Sequence, residues 1–281
     1  MASETSQQFF NLPSVGLTSN LVNEKHFGPP AKATVTTNWT TFEDQPISSK
    51  ALIDVFADRI PVVRVKNFLT LDECTRMLGV VRTHHLALYF DTVAEARALQ
   101  DRWKKEAGVD VVERVMDKLR SVTDMEVRLA SEGNKEYFAG ILRAVDRGIG
   151  VHADYAPYEA AGWKIGDCVA QVTWNILLNT VPGGDTIIYD RQWQAPDDDI
   201  AWRKKFPRDS YHPQMLQSHP FKAMEAVAGD LTFFNPRNFH EVKACDVSRD
   251  HPVPDIRFTV SSFIGFLPGD GSRPDALVLW S

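Results

Sequence analysis

Gly229-Asp-Leu-Thr-Phe-Phe-Asn-Pro-Arg-Asn-Phe-His240-Glu-Val242 breaks into a Gly-Asp turn, an apolar run over 231–234, and a Pro-containing second loop that ends on His240. A run this short, bounded by turn residues and rich in Phe, reads as a buried strand rather than a helix. The same signal recurs around it. Stretches 126–130, 137–145, 169–178, 186–189, 230–235 and 257–266 are apolar or β-branched and are separated by Gly, Pro and Asp. This is an antiparallel pattern with no alternation of strand and helix.

Upstream the period changes. The β-branched segment 60–66 is a strand candidate, and Thr70-Leu-Asp-Glu73 is a capping box for a helix running to about Thr83. Thr92-Val-Ala-Glu95 repeats the box and opens a helix expected to stop at Gly108. Val111, Val112, Val115, Met116 and Leu119 form the apolar stripe of another. Helices first and strands afterwards predict an α+β, mainly β molecule: a jelly roll, with N-terminal helices supporting one sheet of a double-sheet barrel. The expected organisation is an extended arm over 1–50, without periodicity, and a single domain over 51–281. Within that domain, 51–124 is helical support and 125–268 the jelly-roll core.

Composition narrows the function. The 281 residues carry 37 acidic and 31 basic side chains, a formal charge of −6, without any Lys/Arg block. Nothing prepares such a surface for nucleic acid or an anionic membrane, so a small-molecule partner is expected. The N-terminal residues lack a basic segment followed by an apolar core, and no apolar stretch approaches the roughly 20 residues that span a bilayer. A cytoplasmic protein is expected, as a monomer or homodimer. Cys74, Cys168 and Cys245 are far apart and form no CxxC, which points to neither a disulfide framework nor a thiolate zinc site.

The chemistry concentrates at His152-Ala-Asp154. Alternate residues of an extended segment project to one face, so an imidazole and a carboxylate can converge on one ion. His240 supplies a third donor. Two His and one carboxylate on one face of an octahedral metal leave three positions open, the arrangement of non-haem Fe(II) oxygenases, whereas a zinc hydrolase normally leaves one. Seventeen residues on, Arg257 opens the apolar strand Arg-Phe-Thr-Val-Ser-Ser-Phe-Ile. A guanidinium entering a buried strand needs an anion, and its planar fork matches a carboxylate, with Thr259 on the same face adding a hydroxyl. A salt bridge to an internal acid is the structural alternative. Phe138, Ile141, Arg143, Trp174, Asn175 and Tyr189 lie on neighbouring strands as candidate pocket residues, each of which could equally be packed or exposed.

In its order of HxD, distal His and following Arg, the chain resembles the Fe(II)/2-oxoglutarate-dependent oxygenases over roughly 145–266. The resemblance implies a double-stranded β-helix fold, and His152, Asp154 and His240 as ligands of Fe(II). It further implies that Arg257 and Thr259 bind the C5 carboxylate of 2-oxoglutarate, with Asn175 or Trp174 near its C1 end. Pro182-Gly-Gly-Asp-Thr186 looks like the Gly-Gly turn before that family's middle strands. The His240-to-Arg257 spacing exceeds that of plant members, so 246–255 must loop out. O2 is the implied oxidant and ascorbate the expected reductant. The substrate residues expected are Arg143, Phe138, Ile141 and Tyr189. The chain is also similar to fungal biosynthetic oxygenases acting on small amino acids, one of which closes valine to an aziridine. The expected reaction is therefore oxidation of an unactivated C–H bond by hydroxylation or cyclisation. A larger alkaloid or peptide-derived substrate, or a cupin-like metal protein that is no oxygenase, are the alternatives.

Overall fold

The computed structural model describes residues 17–19, 35–84, 92–145, 147–203, 210–246 and 256–281. Most of the arm expected over 1–50 (1–16 and 20–34) and nearly all of the loop expected over 246–255 lie outside the described residues. In chain order the principal elements are α1 (Ser49–Phe56), β1 (Val63–Val65), α2 (Leu71–Thr83), α3 (Thr92–Arg102) and α4 (Val111–Arg120). Strands follow: β2 (Glu126–Leu129), β3 (Ile141–Val145), β4 (Ile149–His152), β5 (Ala170–Leu177), β6 (Thr186–Gln192) and β7 (Phe221–Met224). The last four are β8 (Leu231–Phe234), β9 (Asn238–Val242), β10 (Arg257–Leu267) and β11 (Ala276–Trp280).

The helices form where their caps and stripes require. At the start of α2 the Thr70 hydroxyl accepts from the Glu73 N–H, and the Glu73 carboxylate accepts in return from the Thr70 N–H at 2.8 Å. Two otherwise orphaned donors are thereby satisfied. Beyond α3 the chain makes one wider turn over Trp103–Ala107 and stops at Gly108, whose φ of +72° is costly for any residue with a Cβ. The whole stripe of α4 is buried. Helix α1 was not expected from the sequence. Among the described residues no helix is long and apolar enough to cross a membrane.

Two sheets face each other. The larger has the order β1–β8–β5–β10–β11–β2, with the short strand Gln45–Pro46 outside β1 and β3 beside the first half of β10. The smaller is β7–β6–β9–β4. From β3 to β10 the chain visits larger, smaller, larger, smaller, smaller, larger, smaller and larger sheet, which is the winding of a jelly roll. Alternation then sorts the side chains. Val172, Trp174 and Ile176 of β5 and Val260, Ile264 and Phe266 of β10 turn outward and join Leu52, Met77, Val115 and Leu119 of the helices in one core. Ile187, Tyr189, Trp193, Tyr211 and Phe239 cover the outside of the smaller sheet. What remains between the sheets is the polar side of β5 and β10.

Candidate active site

His152 ends β4 and His240 sits in the middle of β9, directly opposite each other in the antiparallel register. Their ring centroids are 4.1 Å apart. His240 lies within a strand, not in the loop expected for it. Asp154 follows two residues after His152, where its N–H donates to the Pro236 carbonyl at 2.9 Å. That segment is clasped further by Arg237, whose guanidinium lies 4.8 Å from the Tyr155 ring and 5.2 Å from the Tyr158 ring.

Asp154 Oδ2 stands 3.8 Å from His152 Nε2 and 3.7 Å from His240 Nε2, and one donor atom from each residue lies within 4.8 Å of the others. Those separations exceed a hydrogen bond and leave space for an ion among the three. The far side of each ring fixes its tautomer. His152 Nδ1 is 2.8 Å from the Gly150 carbonyl and His240 Nδ1 2.9 Å from that of Asn238. A carbonyl only accepts, so each Nδ1 carries the proton and each Nε2 presents a lone pair. His240 is 5% exposed, and its burial, with His152 beside it, holds its imidazole well below the usual histidine range. Two imidazoles and a carboxylate are a donor set suited to Fe(II).

The triad opens on a cavity of about 330 Å³ between the sheets. Arg257, Thr259, Ser261 and Phe263, alternate residues of β10, line one wall, and Thr173 and Asn175 of β5 continue it. Arg257 is 6% exposed; burial lowers its pKa, opposed by Cys245 and Asp185. Its Nε has no hydrogen-bond partner, and among the described residues it forms no ion pair. A buried donor in that condition costs about 1–3 kcal/mol unless something accepts from it. The geometry therefore fits an anionic co-substrate at the end of the cavity where Arg257 lies. Gly184, at φ +77°, belongs to the Gly-Gly turn beneath this side chain: a Cβ there would stand 3.1 Å from Arg257 Cδ.

The expected pocket set divides. Asn175 and Arg143 line the cavity, as do Arg257 and Thr259. Trp174 does not, because neighbours on a strand point to opposite faces; its ring is in the helix-covered core. Tyr189 is likewise on the outer face of the smaller sheet, donating to Glu241 Oε1 at 2.7 Å. Phe138 precedes β3, which begins only after Gly140 at φ +87°, and Ile141 opens that strand beyond the cavity lining. Of the expected set, the cavity lining thus holds Asn175, Arg143, Arg257 and Thr259, while Trp174, Tyr189, Phe138 and Ile141 lie off it. The sequence reading missed Ser261, Thr173, Phe263 and Ser210 as lining residues; the alternation that placed Thr259 beside Arg257 also reaches Ser261 and Phe263, whereas Ser210 carries no local signal.

Comparison with known proteins places the chain in a family. The family model described as "Carrier-protein-independent halogenase WelO5" matches residues 76–270, a span that holds the triad and Arg257. "Leucinostatins biosynthesis cluster protein S" of Purpureocillium lilacinum is 43% identical over 195 residues, 69% of this chain and 79% of that protein. "L-gamma-glutamyl-L-propargylglycine hydroxylase" of Streptantibioticus cattleyicolor is 28% identical over 213 residues, 73% of this chain and 72% of that one. A solved structure of an N-substituted L-amino acid dioxygenase from Burkholderia ambifaria, in complex with alpha-KG, has a TM-score of 0.54 at 12% identity, covering 83% of this chain and 91% of that chain. At that identity the likeness speaks to the fold, and it is the jelly roll expected. The chain belongs to the family described as carrier-protein-independent halogenase WelO5, and with it to the Fe(II)/2-oxoglutarate-dependent oxygenases, a group of oxidoreductases.

Proposed function

We propose that this enzyme oxidises an unactivated C–H bond of a small amino-acid-derived substrate in natural-product biosynthesis, with L-valine as the first candidate. In this reading His152, Asp154 and His240 hold Fe(II). Arg257 and Thr259 take the C5 carboxylate of 2-oxoglutarate, and Asn175 lies toward its C1 end. The iron, when bound with co-substrate and O2, supplies the oxidising power, and ascorbate keeps it ferrous. The protein's part is to orient the substrate, keep the cavity dry and hold the ligands in place. The observation that carries the reading is a buried Arg257 whose Nε lacks an acceptor, in the same cavity as the triad.

The description of the matched family mentions halogenation, yet Asp154 argues for oxygenation here. His152, Asp154 and His240 would all hold the iron, and a carboxylate donor in the place a halide would need favours oxygen chemistry over halide transfer. Each turnover consumes one 2-oxoglutarate and one O2 and releases succinate and CO2. Hydroxylation places the second oxygen atom in the product. Ring closure of valine at nitrogen would instead remove two hydrogens and place that atom in water. Names of the relatives, a hydroxylase of a glutamyl amino acid and a protein of a biosynthesis cluster, favour an amino-acid-derived substrate. A single oxygenase domain over 51–281, a cytoplasmic location and a monomeric or homodimeric state complete the reading.

The test is succinate release, measured with Fe(II), ascorbate and a panel of free amino acids, with product mass read in parallel. Gain of one oxygen atom means hydroxylation, and loss of two hydrogens means cyclisation or desaturation. Succinate release that no amino acid stimulates would overturn the substrate assignment.

A further inference from the structure

Arg143 is the third residue of β3 and stands opposite Thr259 in the register with β10, so it shares a sheet face with Arg257, Thr259 and Ser261. It lines the same cavity as the triad. Unlike Arg257 it is exposed, which puts it on the solvent side of that cavity. Its Nε donates to Ser261 Oγ at 3.1 Å, fixing the plane of the guanidinium, and among the described residues it makes no ion pair. The terminal nitrogens are therefore pre-set as a fork for which no acceptor is found among the described residues.

Charge makes the same point. Asp154 is the one acidic residue among the described residues lining the cavity. In the proposed complex the ferrous ion and two guanidiniums face Asp154 and the two carboxylates of 2-oxoglutarate, and one positive charge is left over. A carboxylate beside Arg143 neutralises that guanidinium locally, whatever charge the rest of the substrate carries, and Arg143 has the planar donor pair that a carboxylate matches. Space limits the molecule that carries it: about 330 Å³ is at the lower end of ligand pockets and has to accommodate the co-substrate as well.

We infer that Arg143, oriented by Ser261, anchors a free carboxylate of an amino-acid-sized substrate. This rests on the function proposed above and sharpens it. The enzyme would act before that carboxyl is amidated, esterified or loaded as a thioester, so the activating or condensing reaction must consume its product rather than supply its substrate.

The test uses the whole enzyme, anaerobic, with Fe(II) and 2-oxoglutarate, whose complex has a visible charge-transfer band. L-Valine, L-leucine, L-isoleucine and L-proline are titrated against that band, each beside its own amide and its N-acetylated acid. The inference expects at least one free acid to perturb the band while its amide binds about 10- to 100-fold more weakly, the usual worth of a charged hydrogen bond. Arg143→Gln should weaken that acid by a similar factor and raise its KM with a smaller change in kcat. Arg143→Lys should restore part of the loss, and Ser261→Ala, which frees the fork but keeps the charge, should cost less than Arg143→Gln. Thermal melting checks that each variant is folded.

Amides that bind as well as their acids, or an Arg143→Gln enzyme with undiminished affinity for the acid, would overturn the inference. So would Arg143→Gln abolishing the band itself, which would assign the residue to 2-oxoglutarate. Absence of the band in the wild-type protein would remove the oxygenase reading and this inference together, and is thereby told apart from failure of Arg143 alone.

Discussion

Arg257 concentrates the logic of the site in one side chain: it is buried, its Nε lacks an acceptor, and the triad shares its cavity. Replacing it by Ala should raise the Kd for 2-oxoglutarate by about 100-fold, as expected for losing a bidentate charged contact, and leave Fe(II) affinity within a few-fold. Isothermal titration with each ligand separates the two. At this scale much was legible in the sequence. The HxD spacing, the distal His and the Arg at a strand start each follow from alternation and ligand chemistry. Trp174 lies off the cavity for the same physical reason that Thr259 lies on it, since adjacent residues cannot share a strand face. Ser210 follows 204–209, which lie outside the described residues, and reaches the cavity only through the fold.

At the scale of elements, the turn carrying Gly183 and Gly184 decides whether Arg257 can lie where it does. Gly184→Ala adds a methyl 3.1 Å from Arg257 Cδ at a φ of +77°. The left-handed backbone alone should cost about 1 kcal/mol of stability. The displaced side chain should raise the KM for 2-oxoglutarate severalfold without moving the Fe(II) Kd, which paired denaturation and kinetic measurements would show. An unchanged KM would mean that the turn does not set the position of Arg257. Helix α2 was readable from its capping box and α4 from its apolar stripe. Strands β4, β7 and β9 were not: Ile149-Gly-Val-His is short and broken by glycine, and Asn238–Val242 follows Pro236 with no apolar run. Their pairing to β6 and to one another makes them strands, and that information is long-range.

At the scale of the molecule, a buried carboxylate ties the first helix to the strand of His240. Asp58, just after α1, accepts from Trp39 Nε1 at 3.0 Å and from Asn238 Nδ2 at 2.7 Å, while the Asn238 carbonyl holds the His240 ring. Burial pushes the Asp58 carboxyl up to about 7, from an ordinary value of 3.8. The folded state thus keeps a proton that the unfolded chain releases between those values, so stability falls as pH rises across that window. About three units correspond to roughly 4 kcal/mol. Asp58→Asn should remove this dependence: from about pH 4 to about pH 7, urea unfolding should show the wild type losing stability relative to the variant. Parallel curves would place the Asp58 pKa at its ordinary value.

The proposed function requires a metal held by His152, Asp154 and His240 next to a carboxylate site at Arg257. Anaerobic titration of the protein with Fe(II), then with 2-oxoglutarate, tests it most directly. One equivalent of Fe(II) should bind, 2-oxoglutarate should then develop the visible charge-transfer band, and His152→Ala should abolish that band while the protein stays folded. Stoichiometric Fe(II) binding that survives His152→Ala, or a wild-type protein that forms no band at saturating 2-oxoglutarate, would contradict it.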